Sequence, residues 1–190
     1  MTLLVKMNMR DGIPGGMETG ESLEVARVLE QAGADALVLS GGFVSKAPMY
    51  ILHGAMPVKI LAHYIENRLL KTFVRLIGNR LIRTEPFREA YFLEDALKFR
   101  AQLKLPLVYV GGLISREKIN EVLEKGFELV AIARALIKDP DFINKMLHQE
   151  LSRSSCDTCN YCIAVMYTHA VSCIQNEENN PEIQEMLYGK

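Results

Sequence analysis

PLVYVGGLISREKINEVLEKGFELVAIARAL, residues 106–136, holds two apolar runs on either side of one amphipathic stretch. The first run, Pro106 to Val110, closes on Gly111-Gly112, and the second, Leu129 to Ala133, closes on Arg134. Between them Ser115 is placed to cap a helix, Ile119, Val122 and Leu123 recur at helical spacing, and Gly126 is placed to end it. Two strands joined through one helix run parallel and bring their carboxyl ends to the same sheet edge. That edge is where α/β proteins bind ligands. At one strand end the glycines let the backbone come close to a ligand, and at the next an arginine offers a planar fork that matches a phosphate. A tight turn and a surface arginine would account for either half alone. Their pairing across one unit is what predicts a phosphate site.

Upstream the same rhythm repeats. Thr2 to Met7 reads as a buried strand broken only by Lys6, a residue that is costly inside a strand unless it is paired or reaches out at the strand end. Asp11 to Gly16 is a loop of chain breakers. A helix follows from about Ser22 to Ala32, with Val25, Val28, Leu29 and Ala32 as its apolar face and Gly33 as its terminator. Asp35 to Ser40 is a second strand, ended by Gly41-Gly42. An excursion then occupies about residues 43–88. Within it Leu61, Ile65, Leu69, Phe73 and Leu76 recur at helical spacing from Met56 to Ile77, with Lys59, His63, Arg68, Lys71 and Arg75 between them, so one amphipathic helix with a solvated basic face is expected. Leu93, Ala96, Leu97 and Ala101 mark a further helix before the third strand. After the fourth strand, Asp139-Pro140 opens another, with Pro140 at its first position and Ile143, Met146 and Leu147 facing inward.

The fold class is therefore α/β, with four parallel strands and alternating helices. Residues 1–150 form half of an eight-stranded barrel, and residues 151–190 form a cysteine-containing segment and a polar tail. Half a barrel leaves two sheet edges unpaired and apolar strand faces uncovered. The expectation is a fragment of a longer protein, or a chain that pairs with another chain or a second copy of itself.

The 190 residues suffice for one domain with a substantial core, and the composition, 49% hydrophobic and 24% charged, is that of a globular protein. A net charge of -1 gives no electrostatic case for nucleic acid. No apolar run approaches the ~20 residues of a membrane span, and no signal-peptide pattern opens the chain, so the cytoplasm is expected. The four cysteines are spaced Cys156-x2-Cys159-x2-Cys162-x10-Cys173. In a reducing compartment such crowding points to metal or redox chemistry, with an iron–sulfur cluster, zinc or four free thiols all open.

With these pieces placed, the sequence resembles the C-terminal half of the NADH:flavin oxidoreductases of the Old Yellow Enzyme family. The likeness runs in order through VKMN at Val5 to Asn8, the Gly-Gly loop at Gly15, GADALVLSGG at Gly33 to Gly42, PLVYVGGL at Pro106 to Leu113 and ELVAIARALIKDPDF at Glu128 to Phe142. The resemblance implies a (β/α)8 TIM barrel with flavin mononucleotide (FMN) across the carboxyl ends of its strands. NAD(P)H would be the reductant, and an activated alkene or similar small molecule the acceptor. It assigns Lys6 to the flavin's pyrimidine edge, as both a catalytic and a binding residue, and Gly111, Gly112, Ala133 and Arg134 to its phosphate. It further implies that Cys156, Cys159, Cys162 and Cys173 hold a 4Fe–4S cluster, as in the 2,4-dienoyl-CoA reductase-like members. The first half of that barrel has no counterpart here, and with it go the remaining flavin contacts, the pair that anchors a substrate carbonyl and the usual tyrosine proton donor. Tyr50, Tyr64 and Tyr91 sit in no matching motif. Two rival readings are a flavin-free phosphate-binding barrel enzyme and a non-catalytic half-barrel that serves as an assembly or metal-binding module.

Overall fold

The computed structural model describes residues 1–43, 46, 50, 52–81, 84–166, 168, 170–177 and 179–188. Residues 44, 45, 47–49, 51, 82 and 83 of the expected excursion lie outside them. In chain order the elements are β1 (Leu4–Asn8), α1 (Thr19–Gln31), β2 (Ala36–Ser40), α2 (Val58–His63), α3 (Arg68–Leu81), α4 (Leu93–Arg100), β3 (Leu107–Val110), α5 (Arg116–Glu124), β4 (Leu129–Ala131), α6 (Arg134–Lys138), α7 (Phe142–Leu147), α8 (Tyr161–Ala164), a 3-10 turn (Ile174–Asn176) and α9 (Pro181–Tyr188). The sheet has four strands in the order β1-β2-β3-β4, every pair parallel. Sequential parallel order with helical crossovers is consistent with a partial barrel.

Alternation along the strands divides the sheet into two faces. Leu37, Leu39, Leu107 and Tyr109 point to one face, are fully buried, and share a core with Ala26, Phe99 and Val122 from the helices. Burying each of those leucines contributes about 1.5–3 kcal/mol. The register puts Lys6, Val38, Val108 and Leu129 in one row on the opposite face. That face has no helical cover at its margins: Leu4 is 51% exposed and Leu129 54%.

Several helices differ from the sequence reading. α1 buries Thr19, Ser22, Leu23 and Ala26, whereas Val25 and Val28, expected inside, are exposed. The helix is turned this way because the Ser22 hydroxyl donates to the Asn8 carbonyl at 2.5 Å, tying the helix to the end of β1. The helix expected from Met56 to Ile77 is two helices, α2 and α3, because the Asn67 carboxamide accepts from Leu69 N at 3.0 Å and Leu70 N at 3.1 Å and starts a new one. On α3 the stripe Leu69, Phe73 and Leu76 stands exposed. Pro140 precedes α7 instead of opening it, and Leu147 points outward, as does Leu123 of α5. A second apolar cluster joins the excursion to the cysteine segment: Ile60 from α2 packs with Val165, Ile174, Ile183 and Met186. No helix among the described residues is long and apolar enough to cross a membrane.

Candidate functional site

The carboxyl ends of the strands open onto one cavity of about 220 Å³, lined among others by Lys6, Ser40, Gly111, Gly112, Ala133 and Arg134. Five of these six are the residues assigned to a flavin in the sequence, brought together from β1, β3 and the turn after β4. Arg134 differs in one respect from expectation. The sheet ends at Ala131, and Arg134 is the first residue of α6, not the tip of a strand, because the Ala133 carbonyl accepts the Ile137 N–H at 3.0 Å.

Its guanidinium is held on several sides. Nη1 donates to the His53 carbonyl at 2.9 Å and to Asn160 Oδ1 at 2.7 Å, the Phe87 ring lies 5.6 Å from the guanidinium carbon, and the Tyr91 phenol is close enough to feel its charge. Tyr91 also lines the cavity and stacks face to face on His53, with ring centroids 3.9 Å apart. Burial pushes the Tyr91 phenol up and the His53 imidazole down, so both are neutral near pH 7. His53, Phe87 and Asn160 are absent from the sequence reading, and Tyr91 enters it only as a tyrosine in no matching motif. For Asn160 a signal existed, because it sits between Cys159 and Cys162 in a segment read only for its thiols.

The glycine pair is fixed by its neighbours. A Cβ at Gly111 would run into the Tyr109 hydroxyl, and one at Gly112, where φ is +68°, would run into the Tyr91 ring. Tyr109 in turn donates to the Gly111 carbonyl at 3.1 Å and accepts from Phe92 N at 3.2 Å. Just beyond, the Glu89 carboxylate, 9% exposed, accepts from Ile114 N at 3.2 Å and from the Ser115 hydroxyl at 2.8 Å, and pairs with Arg153. Ser115 caps α5 as expected, accepting from Lys118 N at 3.3 Å. At the carboxyl end of β1, Asn8 Nδ2 ties the strand to the chain after β2 by donating to the Gly42 carbonyl at 2.9 Å and to Asp11 at 3.0 Å.

No carboxylate lines the cavity among the described residues, while a lysine and an arginine do. Two cations, the half-buried Arg134 and the exposed Lys6, and a glycine-rich turn around one cavity suit an anion, and they fit the phosphate end of a flavin mononucleotide. The volume accommodates that end and not the whole cofactor, since sites for ligands of drug size run to roughly 300–1,000 Å³.

The cysteines form no such set. All four are unpaired and partly buried, and among the described residues no three His, Cys, Asp or Glu side chains are grouped so as to hold a metal ion. Burial raises the thiols of Cys156 and Cys162 and pushes Cys159 up to about 12, which keeps them protonated. Among the described residues the four thiols are thus not gathered around a single metal position.

No protein-family model matches the chain. It is similar to the 4,4'-dithiodibutanoate disulfide reductase of Rhodococcus erythropolis, 36% identical over 171 residues that make up 88% of this chain and 42% of that protein. The chain is related to oxidoreductases. It is also similar to the bilirubin reductase of Mediterraneibacter gnavus, 24% identical over 91% of this chain and 23% of that one. A 66-residue stretch, 35% of this chain and 6% of the relative, is 29% identical to the NADH:acrylate oxidoreductase of Vibrio harveyi. The chain thus spans less than half the length of the curated relatives it matches.

Proposed function

We propose that this chain is the cofactor-phosphate half of an FMN-dependent oxidoreductase, the C-terminal part of a (β/α)8 barrel of the Old Yellow Enzyme kind. The observation that carries the reading is the meeting of Lys6, Gly111, Gly112 and Arg134 at one cavity on the carboxyl side of a parallel sheet. When bound, the flavin would supply hydride transfer from NAD(P)H to a small acceptor. The chain's own part is to hold and to tune. Arg134 and the glycine turn grip the phosphate, and Lys6, on the neighbouring side of the cavity, places positive charge where the pyrimidine edge would lie. Cys156, Cys159, Cys162 and Cys173 are not needed for either role. The sheet edges at β1 and β4 are read as where the strands that complete the barrel join, with the uncovered face turned to its interior, those strands supplied by more of the same polypeptide or by a second copy. The acceptor is a small reducible molecule, either a polarised alkene or a disulfide, a pair of classes that the names of the relatives bring within reach.

Fluorescence titration of the complete protein with FMN tests this. Arg134→Ala is expected to weaken FMN binding about 10–100-fold, the loss of a charge-assisted hydrogen bond to phosphate. Lys6→Met is expected to slow cofactor reduction by NAD(P)H more than it weakens binding. Unchanged FMN affinity in the Arg134 variant would remove the assignment of the phosphate site.

A further inference from the structure

We infer that Asn160 is a positioning residue for the anion pocket: its carboxamide sets the guanidinium of Arg134, and through it the cysteine segment governs how tightly the pocket holds a phosphate monoester. The inference rests on the phosphate reading of the pocket and adds a determinant that lies outside it. Asn160 is 1% exposed. It occupies the N-cap position of α8, yet its side chain makes no capping hydrogen bond. Instead Oδ1 accepts from Arg134 Nη1 at 2.7 Å and Nδ2 donates to the Ala55 carbonyl at 3.0 Å, so one amide joins the cysteine segment, the excursion and the turn after β4.

The local backbone is built around this contact. Thr158 and Asn160 both have positive φ, +58° and +62°. A non-glycine residue in that conformation costs on the order of 1 kcal/mol, least for asparagine, and persists where the surroundings impose it. Gly54, at φ +124°, makes room for the turn, because a Cβ there would strike the Thr158 carbonyl and come within 3.3 Å of Asn160 Nδ2.

The choice of an amide has a chemical consequence. Elsewhere in the chain Arg10, Arg100 and Arg153 are each paired with a glutamate. Among the described residues the acceptors around Arg134 are a carbonyl and a carboxamide, both uncharged. They orient the guanidinium without cancelling its charge, which leaves that charge for an anion in the cavity.

The test compares FMN with riboflavin, which lacks the phosphate, as probes of the complete protein. Asn160→Gly is compatible with the left-handed turn and removes the side chain with its hydrogen bonds to Arg134 and Ala55. Its FMN affinity is expected to fall about tenfold, one lost hydrogen bond to a charged group, with riboflavin affinity within about twofold of the unsubstituted protein. Asn160→Asp keeps the size of the side chain but neutralises Arg134, so it is expected to lose preference for FMN in the same way, and it decides the matter should the glycine variant fail to fold. An equal loss for both probes, or an unchanged preference in these variants while Arg134→Ala abolishes it, would overturn the inference. Retention of the preference in Arg134→Ala would instead strike the phosphate reading itself.

Discussion

Single side chains at the cavity have roles that can be read from their surroundings. His53 is stacked on Tyr91, and burial lowers its pKa from the ordinary 6.5. Because the neutral ring is the favoured form in the fold, its contribution to stability is complete above pH 6.5 and declines as pH falls from there toward the depressed folded value. His53→Asn is therefore expected to flatten the loss of stability as pH falls below 6.5 in urea titrations, whereas an unchanged slope would show that the imidazole is indifferent. Glu30 behaves in the same sense at lower pH: its carboxylate accepts from Lys104 N at 2.7 Å and Leu105 N at 2.9 Å, which holds its pKa below 4.5. The contribution of that contact is present above pH 4.5 and is lost on acidification, and Glu30→Gln should remove this acid-sensitive component. Gly112 and Arg134 were legible in the sequence because each follows an apolar run, and Lys6 because it interrupts one in a stretch that resembles a flavin-binding family. Tyr91 and Asn160 were not, because no periodicity or turn rule says that a tyrosine just after the excursion and an asparagine some seventy residues later would meet one guanidinium.

At the scale of elements, the glycine turn is secured from outside. Glu89 receives Ile114 N, the Ser115 hydroxyl and Arg153, while Arg116 N donates to the Ser152 carbonyl and Ser154 N to the Ile114 carbonyl, both at 2.8 Å. Glu89→Ala would leave those donors unmet in a site of little solvent access and is expected to cost about 2–3 kcal/mol, seen as a lower midpoint in thermal denaturation monitored by circular dichroism. A variant as stable as the parent would mean that the clamp is replaced by solvent. The strands were foreseen to within a residue or two because parallel strands covered on a face are continuous apolar runs. The helix faces were less secure. In α1 the hydrophobic pattern favoured Val25 and Val28, but a hydrogen bond from Ser22 to the end of β1 turned the helix, and a polar residue took the core side. In the excursion, one apolar period ran through two helices, because the break at Asn67 is a matter of capping and leaves the spacing intact.

For the molecule as a whole, the main physical fact is an asymmetric sheet. One face is sealed by helices, and the other carries a lysine above a cavity and exposed leucines at its margins. Strand edges and apolar faces of this kind seek partners. Prepared as residues 1–190 alone, the chain is expected to bind a hydrophobic dye and to sediment above its 21.4 kDa mass. A monodisperse 21.4 kDa species that binds no dye would count against the half-barrel reading. The parallel order was readable from the repeated strand–helix rhythm. The packing of the excursion against the cysteine segment, through Ile60, Val165 and Ile183, depends on contacts more than a hundred residues apart that no local pattern reports. The most direct measurement is a crystal structure of the complete protein with FMN. The cofactor's phosphate should lie between the Gly112 backbone and the Arg134 guanidinium, with the isoalloxazine ring reaching toward Lys6. A phosphate bound away from Arg134, or a flavin lying on another face of the sheet, would contradict the account.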